Sequence, residues 1–140
     1  MIQVLEVRDI QMESEVKYSN QVNTYNVTTN LMSDDYVPYR LAQSAMIWLG
    51  PNGELGELEL IFPKVSEQSF WPKHSFVETV KGVPLFKIDS QPSDVTVAHQ
   101  KDGFMIWIDQ NHEVNVSIIS QNLIFLLSDK KLIGIYCKYR

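Results

Sequence analysis

The second half of the chain is a succession of short apolar runs, "SFVETV", "PLFKI", "DVTVAH", "GFMIWI", "EVNVSII", "NLIFLL" and "LIGIYCKY", punctuated by Gly, Pro, Asn, Asp and Ser. Runs of four to eight residues are short for a buried helix, and their β-branched and aromatic content suits a pleated surface. Where such runs are apolar at every position, both faces of the strand must be covered. The bulk of the chain is therefore expected to be antiparallel sheet.

The first half is patterned differently. "IQVLEVRDI" alternates apolar and polar residues from Ile2, the signature of a strand incompletely covered on both faces. "EVKYSNQVNTYNVT" carries Val16, Tyr18, Val22 and Tyr25 around the turn-prone "SNQ", which predicts a polar hairpin or an edge. One helix is expected from about Ser33, where "SDD" offers N-cap chemistry and Leu41, Ala42, Ala45 and Met46 keep a spacing of three to four. A short helical turn is expected over "SEQSFW", stopped by Pro72. The expected fold is mainly β, a single domain over residues 1–140. It would be an antiparallel β-sandwich or curled sheet or barrel built from repeated hairpins, with about eight to ten strands and at most one or two short helices.

An internal echo bears on both fold and function. "MIWLGPNGELGELEL" from Met46 returns as "MIWIDQNHEVNVSII" from Met105, with Asn52 matched by Asn111 and Glu54 by Glu113. Each copy has the form of a strand, a four-residue turn and a second strand, so each is expected to be a β-hairpin. "IFLLSDKKLIGI" repeats the shape without the identities. The flanks of Trp48 and Trp107 are apolar on both sides, which predicts that both tryptophans fill the core between facing sheets. The competing expectation is a shared cavity lined by Trp48, Trp107 and Phe104 with His99 at its mouth, as in a small-ligand barrel or an enzyme.

Motifs for chemistry are sparse. His74, His99 and His112 lack metal-ligand spacing, and Cys137 sits in a strand-like run where a thiol behaves as a small hydrophobe. Neither a nucleophile elbow nor a glycine-rich phosphate loop occurs, and Gly50, Gly53 and Gly56 read as hairpin punctuation. Glu57 and Glu59 share one face of a strand, but catalytic use of such a pair requires a cleft that raises one pKa. The expectation is a non-enzyme without cofactor or metal.

One cysteine rules out an internal disulfide and suits a reducing cytoplasm. No signal peptide and no membrane helix can be read from the sequence. At a net charge of −5, nucleic acid is not an expected partner. The acidity is concentrated: up to Pro63 there are nine acids against Arg8, Lys17 and Arg40, whereas from Lys64 onward acids and bases nearly balance. "SDDYVPYR" sets Asp34 and Asp35 beside Tyr36 and Tyr39, and Tyr is a frequent interface anchor. Together with Glu54, Glu57 and Glu59, these residues form the expected surface for a basic protein partner. Its concrete form is a small acidic immunity or inhibitor protein masking a toxin nuclease. A homo-oligomeric structural protein, such as a homodimer joined through strand edges, is the third expectation.

Overall fold

The structure is a computed structural model that describes residues 1–65, 78–92, 94–109 and 113–140. These residues form fourteen strands and no helix. In chain order the strands are β1 (Ile2–Arg8), β2 (Ser14–Ser19), β3 (Thr24–Thr29), β4 (Val37–Leu41), β5 (Ala45–Leu49), β6 (Leu55–Ile61) and β7 (Lys64–Val65). They continue as β8 (Glu78–Lys81), β9 (Val83–Ile88), β10 (Thr96–Gln100), β11 (Gly103–Trp107), β12 (Val116–Ser120), β13 (Leu123–Ser128) and β14 (Lys131–Lys138).

Two sheets divide them. A five-stranded antiparallel sheet, in the order β2-β3-β6-β5-β4, is made from one contiguous stretch of chain. A nine-stranded sheet runs β7-β10-β11-β14-β13-β12-β8, with β1 pairing both β14 and β9. The β10–β7 and β12–β8 pairs are parallel, the others antiparallel. β8 and β9 follow each other through Gly82, whose φ of +149° lies where side-chain-bearing residues rarely go. The strand bends there, so β1 and β9 curl back towards β14 without closing a barrel.

The alternation of side chains explains how the sheets pack. In the small sheet Val16, Tyr25, Val27, Ile47, Leu58 and Leu60 are buried, while their neighbours in sequence are half-buried or exposed. In the large sheet Val97, Phe104, Ile106, Phe125 and Ile135 join the same apolar cluster, so this core is shared by both sheets. The expected sandwich or curled sheet is therefore what the chain forms. The large sheet carries a second buried cluster on its other face, including Met105, Trp107, Leu126, Ile133 and Tyr136. This is why its strands read as continuous apolar runs.

Several expectations change in detail. Short edge pieces such as β7 raise the strand number above the expected range. The helix from Ser33 does not form: Leu41 and Ala45 face each other across the β4–β5 hairpin, so their spacing reflects a tight turn, with Ala42 at φ +56°. The "SEQSFW" turn lies outside the described residues. The echo forms a hairpin in its first copy, β5–β6, and in the "IFLLSDKKLIGI" segment, β13–β14. The second copy does not, because β11 pairs with β10 and β14 while β12 pairs with β13 and β8.

The echo survives as a pattern of side-chain directions. Ile47 and Ile106 point into the shared core. Trp48 and Trp107, one position further on, point away from it: Trp48 is half-buried on the outer face of the small sheet, and Trp107 belongs to the outer cluster of the large one. Neither tryptophan fills the space between the sheets, and lying on opposite outer faces they cannot line one cavity with the core residue Phe104.

Candidate functional site

The outer face of the five-stranded sheet arranges polar, charged and apolar side chains in two cross-strand rows. One runs Glu15, Thr28, Glu57, Trp48 and Pro38 across β2, β3, β6, β5 and β4; the next runs Lys17, Asn26, Glu59, Met46 and Arg40. Directly opposite residues on a strand pair are in side-chain contact range, so Glu57 lies beside Trp48, and Glu59 beside Met46. Lys17 is engaged by Glu15 at 3.2 Å, and the Arg40 guanidinium donates to the Gln43 carbonyl at 3.1 Å. Asn26 donates to Glu57 Oε2 at 3.4 Å. Among the described residues neither Glu57 nor Glu59 forms an ion pair, so two carboxylates beside an indole and a thioether are available to an external cation.

The remaining residues expected on the acidic surface are dispersed. Glu54 is buried at 8% exposure and accepts a hydrogen bond from the Tyr36 hydroxyl at 3.3 Å. The Tyr36 ring rests over Gly50 and Gly56, where a Cβ on either glycine would collide with it. Burial, reinforced by the Glu54 carboxylate, pushes the Tyr36 hydroxyl up to about 12. Tyr36 and Glu54 thus form an internal clasp, and Glu54 leaves the exposed set. Tyr39 pairs with Ile47 and so projects from the opposite face of β4 to Trp48. Asp34 and Asp35 are exposed in the turn before β4, where Ser33 donates to Asp35. Only Glu57 and Glu59 are brought together as a pair.

The glycines read as punctuation have a further role. Gly53 takes φ +95°, and its carbonyl accepts from the Phe86 amide at 2.8 Å, with an isolated bridge between Glu54 and Leu85 alongside. This turn is where the backbones of the two sheets touch.

A seam of aromatic rings closes another part of the sandwich. Tyr18 stacks on Tyr25 at 4.5 Å and meets His99 edge-on at 4.7 Å. The His99 ring has Tyr25 Oη 3.4 Å from Nδ1 and Tyr139 Oη 3.3 Å from Nε2. Burial first, then the neighbouring hydroxyls of Tyr18 and Tyr139, pushes Tyr25 up to about 12, and burial raises Tyr139. Tyr18 and Tyr25 are cross-strand partners on the β2–β3 hairpin expected from the sequence, whereas His99 on β10 and Tyr139 beyond β14 reach them only through packing of the other sheet. Cys137 is fully buried and desolvation pushes its thiol up, so in this core it packs as a small hydrophobe. Tyr136, buried on the outer face of the large sheet, donates to Asp102 and lowers that carboxyl. Groups of three or more metal-ligating side chains do not occur among the described residues, from which His74 and His112 are excluded.

An open groove of about 900 Å³ separates the β4–β5 turn from the segment before β10, lined by Ala42, Gln43, Ile61, Phe62, Lys64 and Asp94 among others. Phe62 is 69% exposed at φ +48°, a backbone conformation that costs a bulky residue free energy. Lys64 and Asp94 pair across it at 3.5 Å. No protein-family model matches the chain, and no curated protein matches it, so the functional reading rests on this geometry.

Proposed function

We propose that the protein is a non-enzymatic binding module that receives a basic protein on the outer face of its five-stranded sheet. The observation that carries this reading is the pair Glu57 and Glu59, held two residues apart on β6 beside Trp48 and Met46 and without an ion-pair partner among the described residues. A flat sheet face fixes carboxylates more rigidly than a loop, and the half-buried indole supplies apolar area next to them. Lys or Arg side chains of a partner would pair with the carboxylates while their methylene stems cover Trp48. In its most specific form the partner is a basic toxin nuclease whose nucleic-acid cleft is masked, which requires charge and shape but no chemistry.

The test is affinity capture with the wild-type protein and with a Glu57→Lys/Glu59→Lys variant, followed by titration of the purified partner. A basic protein should bind stoichiometrically, be released by raised salt, and lose about tenfold affinity or more for each reversed carboxylate. Retention of that partner by the variant at unchanged affinity would refute the assignment of the face. Capture of nothing by either protein would refute the reading itself.

A further inference from the structure

The five-stranded sheet ends on β2, which pairs only with β3 among the described residues. Most edge strands are interrupted, and β4 at the other edge carries Pro38. β2 has neither proline nor bulge, and its register with β3 is unbroken from Ser14 to Ser19.

The direction of its free backbone groups follows from the next rung. The Asn30 amide donates to the Glu13 carbonyl at 3.0 Å, and Asn30 Oδ1 accepts from the Glu13 amide at 2.8 Å, so the 13–30 rung is of the closely bonded kind. Bonded and non-bonded rungs alternate in an antiparallel pair, so Glu15, Lys17 and Ser19 turn their amides and carbonyls toward β3. Those of Ser14, Val16 and Tyr18 therefore point outward.

We infer that this edge is a homodimer interface, in which β2 pairs antiparallel with its own copy about a two-fold axis at Val16. Continuing the sheet with matching faces requires residues of equal parity to oppose each other. With Val16 opposite the partner's Val16, Ser14 faces the partner's Tyr18, and every outward amide and carbonyl of the three residues meets a complement. The same register places Glu15 opposite the partner's Lys17, twice by symmetry, on the non-bonded rungs where side chains approach most closely. Both side chains are exposed, at 61% and 67%, and lie on the outer face. A shift by two residues would instead set Lys17 against the partner's Lys17, so the charge pattern selects one register and disfavours its neighbour. The strand "SEVKY" is thus self-complementary in hydrogen bonding and in charge. This inference is independent of the partner proposed for Glu57 and Glu59, although the dimer would place both copies of that pair on one continuous ten-stranded face.

Sedimentation velocity on the full chain, from low micromolar to about millimolar concentration, tests it with Glu15→Lys, Lys17→Glu and the double reversal. The wild type should pass from monomer to dimer with concentration. Each single reversal sets like charges opposite one another and should weaken the dimer about tenfold or more, while the double reversal should restore it. Melting curves would establish that the exposed substitutions leave the fold intact. A wild type that stays monomeric throughout, a dimer indifferent to the single reversals, or a double reversal that fails to recover would each overturn the inference.

Discussion

The same tripeptide, Met-Ile-Trp, sits on a central strand of each sheet, and its two environments show how the sheets differ. In the small sheet Trp48 is half-buried beside Glu57 and Pro38; in the large sheet Trp107 is 7% exposed and faces Gly134. The small sheet has one apolar face and one polar face. The large sheet is apolar on both. An identical local sequence therefore supplies one surface contact and one core contact, decided by what else the sheet carries on that face.

The largest test of this contrast is a matched pair of truncations. Trp107→Ala should destabilise the fold by about 3–5 kcal/mol in urea unfolding, as a core aromatic does, whereas Trp48→Ala should cost about 1 kcal/mol or less. Equal costs would show that the outer face of the small sheet is covered as well. Next comes Gly134→Ala. A Cβ there would lie 3.0 Å from the Ile106 carbonyl oxygen and 3.1 Å from the Trp107 ring, so about 1–2 kcal/mol should be lost despite the smaller entropy of the unfolded chain. In a Trp107→Ala background part of that cost should vanish, which a double-mutant cycle would read as coupling between the two residues.

A smaller effect is read through pH, on two tyrosines of the small sheet. Tyr36 is raised to about 12 at the end of the small sheet, and Tyr25 to about 12 in the seam. A raised folded-state pKa means that the folded form holds its proton more tightly than the unfolded form. The contribution is fully present below the unfolded value near 10 and is lost as pH climbs towards 12. Tyr36→Phe should remove part of this alkaline decline in melting temperature, with no change in the decline at neutral pH, where none is expected. The smallest effect is expected for Glu57→Lys and Glu59→Lys, each within about 0.5 kcal/mol of wild type in stability. Their consequence belongs to binding, and a large loss of stability would instead mark them as structural.

What could be read from the sequence follows the same division. Alternation in "GELELIF" placed Glu57 and Glu59 on one face correctly, because a strand with one wet side writes its orientation into its residues. The apolar runs of the large sheet revealed strands but not their neighbours: nothing in "GFMIWI" or "EVNVSII" tells that β14 lies beside β11 while β12 is two strands further away. The spacing of Leu41, Ala42, Ala45 and Met46 fits a helix and a tight hairpin equally well, and tertiary pairing decided between them. Glu54 looks like Glu57 and Glu59 in the sequence because its burial depends on Tyr36, which comes from the preceding turn. The Tyr18–Tyr25–His99–Tyr139 seam left only the hairpin tyrosines and a lone histidine to be noticed, since His99 and Tyr139 join that hairpin pair from the other sheet.

The placement of β1 has a consequence for the order in which the chain can fold. Every strand of the small sheet has its partners within the stretch from Ser14 to Ile61, so hairpins can form as soon as those residues leave the ribosome. β1 precedes them all, yet Ile2 pairs with Ile88 and Gln3 with Lys131. During synthesis it must wait, with Ile2 and Val4 uncovered, until β9 and then β14 have been made. The window in which an unpaired apolar strand can be captured by a chaperone or by another nascent chain therefore opens with β1 and closes only once β14 is made.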